Sequence, residues 1–143
     1  MARIKLEIPK HIIYTCKIPV RVCDINYGCH VGNDAFVNII HEARAQWLNK
    51  YGYTELQIEG NGLVMSELVI EFKKESFYGD VVDITLYVGE IFRIGFELYY
   101  QLFTTRNKEP LLLTKAKTVM ICYDYESKKT VSIPKNLNTI LTA

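Results

Sequence analysis

Between Arg21 and Asp34 the chain reads RVCDINYGCHVGND. This short stretch holds Asp24 and Asp34, Asn26 and Asn33, His30, two cysteines, and the glycines Gly28 and Gly32. Carboxylates and an imidazole can take or give a proton. Side-chain amides cannot act as bases at neutral pH, but they can position a water or hold a carbonyl. The glycines let backbone approach a ligand closely, or simply satisfy a turn. The stretch is either a capped turn or the floor of an active site. A metal cluster from Cys16, Cys23, Cys29 and His30 is the weaker idea, because the spacing matches no standard site. The four cysteines (the fourth is Cys122) contain no C-x-x-C pair, so the expectation is buried or half-buried free thiols and no metal.

The elements around this stretch must position it. Residues 11–22, HIIYTCKIPVRV, are β-branched and aromatic and read as a strand, with Pro19 arguing for an edge or a bulge. Residues 34–51 carry Phe36, Ile40, Ala43, Trp47 and Tyr51 at spacings of three or four, which draws one apolar stripe along a helix. Asn33 or Asp34 is expected to cap it and Gly52 to end it. The pattern then changes period. LVMSELVIEFKKE places Leu68, Ile70 and Phe72 on one face with Glu67 and Glu71 on the other, as in a strand. Three more strands follow, VVDITLYVGEI, GFELYYQLFTT and LLLTKAKTVMICYDY, separated by turns. The tail SIPKNLNTILTA reads as a loop and a short helical turn.

The expected order is strand, long helix, then four strands in meander: an α+β layout in one domain, residues 1–143. The helix, about 27 Å long, is the only element large enough to cover a sheet of about five strands, and it is expected to lie across a curved concave face. Composition excludes other classes. The chain has 17 basic and 16 acidic residues, net charge +1, which offers no electrostatic reason for a nucleic-acid or membrane partner. No apolar run is long enough to span a membrane, and MARIKLEIPK lacks a signal-peptide core, so the expected location is cytoplasmic.

Three pieces of sequence carry a resemblance. Arg21 to Asn33 is similar to a segment of the form R-x-x-D-x-D-x-x-G-H-V-N-N, with Asn26 at the second aspartate and a small change in the glycine region. Glu42 to Arg44 lies in HEAR, like an E-x-A-R on a central helix. FKKESFYGD, Phe72 to Asp80, resembles a Y-x-x-P-x-x-x-G-D turn, with Glu75 in the proline position. In this order they resemble the hotdog-fold acyl-CoA thioesterases of the 4-hydroxybenzoyl-CoA thioesterase type, over roughly residues 12–134. The resemblance implies hydrolysis of an acyl-CoA without cofactor or metal, by a homodimer or homotetramer with sites at subunit interfaces.

On that resemblance the site residues are weighed one by one. Amides around Asn33 and Asp34, at the positive end of a helix, are donors to a thioester oxygen; the competing role of these residues is ordinary capping. In the relatives the aspartate that acts as base or nucleophile lies seven residues before this donor, where Asn26 stands. The carboxylate then comes from Asp34, from Glu42 on the polar face with Asn38 and Gln46, or more weakly from Glu67. Asp24 is a candidate substrate contact, though a turn role or pairing with Arg21 competes. His30 either polarises a carbonyl or is satisfied by backbone. Lys73, Lys74, Arg93, Arg106, Lys108, Lys128 and Lys129 include candidates for coenzyme A phosphates. Two rival readings stay open: a non-catalytic acyl-CoA-binding protein, favoured by Asn26, and an enoyl-CoA hydratase, whose D-x-N-x-x-H is here one residue longer. Without a metal in the chemistry, dialysis against EDTA leaves thioester hydrolysis unchanged; a loss restored by a divalent cation would contradict this.

Overall fold

Strict alternation builds the sheet. In β3 (Val81–Phe92) the buried side chains are Val82, Ile84, Leu86 and Val88, and in β4 (Gly95–Arg106) they are Phe96, Leu98, Tyr100, Leu102 and Thr104. A period of two places each set on one face. The computed structural model describes residues 3–143. The remaining elements are β1 (His11–Pro19), α1 (Asn33–Asn49), β2 (Gly62–Phe72), β5 (Glu109–Asp124), a short β6 (Lys129–Thr130) and α2 (Lys135–Thr142). The architecture is α+β, with an antiparallel sheet of order β1-β3-β4-β5-β2 and β6 paired to β5.

Strands β3, β4 and β5 form the expected meander, but β2 does not. It lies at the far edge beside β5, with Leu68 opposite Thr118, and residues 73–80 carry the chain back across to β3. Alternation specifies which face of a strand is apolar and says nothing of which strand is its neighbour. Strand β1 is the other edge and ends at Pro19, where a missing N–H costs no ladder bond.

Helix α1 covers the apolar face. Phe36, Ile39, Ile40, Ala43, Trp47 and Leu48 join the same buried cluster as the inner residues of β3, β4 and β5. Trp47 meets Phe96 edge-on at 6.2 Å, and Phe36 lies 5.8 Å from Phe72. The helix is shorter than the stripe suggests. It stops at Asn49, Gly52 turns the chain at φ +77, and Tyr51 is left outside and partly exposed. The short tail turn is a true helix, α2, which buries Leu137 and Leu141.

The N-cap expectation is corrected. Gly32 is the N-cap, at φ −73 and ψ 159, and no side chain bonds to the first turn. Asn33 and Asp34 are already helical, so neither is the cap residue, whose backbone lies outside the helix.

One charged residue enters the apolar face. Arg44 is buried, donates to Glu55 through Nε, and reaches the Tyr100 hydroxyl at 3.3 Å, which in turn bonds Thr118 at 2.7 Å. His41 holds the other Glu55 oxygen at 2.8 Å. Burial pushes the Tyr100 hydroxyl up from its ordinary range, and the buried cation is compensated, as it must be. Among the described residues no helix is long and apolar enough to cross a membrane. Trp47, with no measurable exposure, anchors the helix–sheet contact. Trp47→Ala is expected to cost about 3–5 kcal/mol in urea unfolding; a loss below about 1 kcal/mol would show that α1 is not held by this packing.

Candidate active site

The loop from Arg21 to Gly32 is folded by its own backbone. Asp24 is buried, and its carboxylate accepts the Arg21 amide at 2.8 Å and faces the Arg21 guanidinium at 3.3 Å. The Asp24 carbonyl accepts the Gly32 amide at 3.1 Å. Asp24 therefore builds the loop and does not face the cleft described below. Asn26 exchanges backbone bonds across the turn, with its amide to the His30 carbonyl at 3.0 Å and its carbonyl to the Cys29 amide at 3.1 Å. Its side-chain oxygen accepts the Gly28 amide at 2.9 Å. That bond orients the side chain so that its NH2 group, two donors, is the free end.

The two glycines are places where side chains converge. A Cβ on Gly28 would lie 3.2 Å from both Asn26 Oδ1 and His30 Nε2. A Cβ on Gly32 would lie 2.6 Å from Asp34 Oδ1 and 3.8 Å from Asn26 Nδ2. Asn26, His30 and Asp34 thus gather around the start of α1, and the room they occupy exists because both positions lack a Cβ. His30 Nδ1 contacts the Val31 carbonyl at 3.3 Å, so one ring nitrogen is used locally.

A cleft of about 530 Å3 opens beside this helix start. Its apolar walls include Val31, Phe36, Phe72 and Phe77, and His30 and Asn33 face it from the loop side. Of the seven basic candidates Lys73, Lys74 and Arg106 stand on it, together with Glu75. Lys73 is paired with Glu71 at 3.0 Å and Arg106 with Asp80 at 2.6 Å.

Glu42 lies elsewhere. It is exposed, receives a bond from Gln46 at 2.8 Å, and lines a separate groove with Arg21, Asn38 and Gln46. From Asn33 it is nine helical rises away, roughly 14 Å along the axis. One chain cannot bring both to the same carbonyl. Glu67 sits on edge strand β2 at a register shift, remote in sequence from the loop. What sequence reasoning missed is the wall opposite the helix: Phe77 and the contacts of Asp80 depend on strand neighbours, and only the G-D spacing hinted at a fixed turn.

Comparisons with known proteins follow this geometry. Residues 20–141 match the family model described as the thioesterase-like superfamily. A protein of Aquifex aeolicus (strain VF5), provisionally assigned as an esterase, is 30% identical over 131 residues, covering 90% of this chain and 96% of its own. A 1,4-dihydroxy-2-naphthoyl-CoA thioesterase from Synechocystis superposes with a TM-score of 0.80 at 20% identity, covering 90% of this chain and 95% of that one. A 4-hydroxybenzoyl-CoA thioesterase, in a variant with asparagine in place of an aspartate and complexed with 4-hydroxybenzoyl-CoA, gives 0.80 at 17% identity, covering 90% and 97%. At these identities the structural likeness speaks for the fold alone.

The cysteines depart from expectation. Cys122 is buried and Cys16 half-buried, but Cys23 and Cys29 are exposed on the loop. Burial raises the thiols of Cys16 and Cys122 to about 11, and at Cys16 the nearby Glu42 adds to the effect. Thiolate is the reactive form. At pH 8 the native protein is expected to react quickly with DTNB at Cys23 and Cys29, and at all four cysteines only after denaturation; rapid native labelling of Cys122 would contradict the packing.

Proposed function

The chain belongs to the thioesterase-like superfamily of hotdog-fold proteins, and from that premise we propose that it hydrolyses an acyl-CoA thioester to the free acid and coenzyme A. The observation that carries this reading is the convergence of Asn26, His30 and Asp34 around Gly28 and Gly32, at an uncapped helix start beside an aromatic cleft.

Each part has a physical role. The acyl group lies against Phe36, Phe72 and Phe77. Its carbonyl oxygen points at the amides of Asn33 and Asp34, which lack intrahelical acceptors and carry the positive end of the α1 dipole. Asp34 takes a proton from a water held by the Asn26 NH2 group. The water oxygen attacks the carbonyl carbon, and negative charge builds on the carbonyl oxygen, where fixed donors matter most. The intermediate collapses with cleavage of the C–S bond, and coenzyme A leaves as thiolate and is protonated. His30 stands on the Gly28 side of Asn26, toward its side-chain oxygen. Lys73, Lys74 and Arg106, with Glu75 among them on the rim, are the candidates for contacts to an anionic substrate.

Asp34 is preferred over Glu42 because it shares the Gly32 position with Asn26. Glu42 can serve only if a second copy brings its helix to this cleft. Exposed Val22, Tyr27, Phe72 and Phe77 around the site, and open sheet edges at β1 and β2, support a homodimer or homotetramer. Asn26 supports one other reading, acyl-CoA binding without turnover.

A thiol-release screen across aromatic and aliphatic acyl-CoAs tests the proposal. Asp34→Asn is expected to lower kcat by about 100-fold or more, Glu42→Gln by less than about threefold, and Asn26→Asp to retain or raise activity, since one carboxylate oxygen can keep the Gly28 bond while the other takes the water's proton directly, in place of the NH2 donor that is lost. A large loss in Glu42→Gln with Asp34→Asn intact moves the base across an interface. Loss in neither contradicts both assignments, and tight binding of every acyl-CoA without thiol release contradicts the enzyme.

A further inference from the structure

We propose that Asp80 is a positioning residue of this site, acting through a turn that staples both stems of the loop; the inference rests on the function proposed above. The loop leaves the sheet at Val20 and rejoins structure at Val31. The Val20 amide donates to the Asp80 carbonyl at 2.9 Å, and the Val31 amide donates to the Ser76 carbonyl at 2.8 Å. Both ends of the loop are therefore fixed to one short turn, residues 76–80, which is remote in sequence.

That turn is organised by one oxygen. Asp80 Oδ2 accepts the Ser76 hydroxyl at 2.8 Å, the Phe77 amide at 2.9 Å and the Arg106 guanidinium at 2.6 Å. Donation to an ionised acceptor makes these bonds stronger than neutral ones. Ser76 has no measurable exposure, and Gly79 at φ +98 supplies the backbone shape that closes the turn. Arg106 also donates to the Glu75 carbonyl at 3.2 Å and lies over the Phe77 ring at 5.2 Å.

The consequence runs in two directions from Asp80. Through Ser76 it sets Val31, and so Gly32 and the first amide of α1. Through Phe77 and Arg106 it sets the opposite wall of the cleft. The Asp80 carboxylate itself faces the turn, so it acts through the groups it holds. A misplacement of about 1 Å in groups that orient a reaction can cost on the order of 100-fold in rate.

The test combines kinetics with hydrogen exchange on the full-length protein, using an acyl-CoA that the wild type turns over. Asp80→Asn keeps the size of the side chain but replaces one oxygen with a donor and loses the charge. It is expected to lower kcat about 10- to 100-fold with KM changed less than about threefold, and to speed amide exchange in the peptide covering residues 21–36 by about tenfold or more. Wild-type kcat in Asp80→Asn, or a loss of kcat with exchange of that peptide unchanged, overturns the proposal. Should Asp80→Asn fail to fold, Ser76→Ala removes only one hydroxyl; it is expected to show the same pattern at about 3- to 10-fold, and no change in either readout overturns the role. If the wild type releases thiol from no acyl-CoA, the function proposed above fails. The exchange measurement still decides the staple, which falls if loop protection in Asp80→Asn equals that of the wild type.

Discussion

The first turn of α1 has backbone donors that nothing in the helix can satisfy, and the chain places no capping side chain over them. A Ser, Thr, Asn or Asp cap that satisfies such a donor is worth about 0.5–2 kcal/mol over alanine. With Gly32 at the N-cap, that bond is not made by the protein. The helix cannot shift to relieve this, because Phe36, Ile40, Ala43 and Trp47 fix it on the sheet. A rigid rod with an open end is a fixed set of dipoles, and fixed dipoles are what a carbonyl oxygen gaining charge requires. The surrounding features follow from that end: glycines on the approach, side chains folded over them, and an aromatic cleft alongside.

Charge is arranged locally. The chain as a whole is nearly neutral, so it has no long-range attraction for an anionic ligand. Around the cleft, Lys73 and Arg106 each have an acidic partner in Glu71 and Asp80. The pairs hold the long side chains in place at the rim. Arg106 bonds both Asp80 and the Glu75 carbonyl, lies over the Phe77 ring and lines the cleft, which ties the shape of the pocket to its electrostatics.

Much of this was legible in the residues. Strand-forming runs set off by turns located β3, β4 and β5 almost to the residue, and the three-four stripe located α1 because it reports on one buried face. The R-x-x-D loop, HEAR and G-D pieces pointed to the family that the match over residues 20–141 establishes. What could not be read are facts about partners distant in sequence. The place of β2 beside β5, the pairing of Arg44 with Glu55 and Tyr100, and the hold of residues 76–80 on Val20 and Val31 depend on tertiary neighbours. The cap was misjudged for a local reason. Asn33 and Asp34 are good cap residues by type, but the helical backbone begins at Asn33 and leaves the cap to Gly32. The exposure of Cys23 and Cys29 was misjudged because a cysteine's usual burial is a statistical tendency that a loop tip escapes.

The most direct test of the central claim is amide NMR on the wild type titrated with a non-hydrolysable acyl-CoA thioether ketone, in which a CH2 separates carbonyl from sulfur and the carbonyl is retained. The amide protons of Asn33 and Asp34 are expected to move downfield and to be among the most perturbed in the chain, as they gain a carbonyl acceptor. Saturating binding that leaves both amides unmoved, with the changes confined to the groove around Glu42 and Gln46, would contradict the claim that the open end of α1 holds the reacting oxygen.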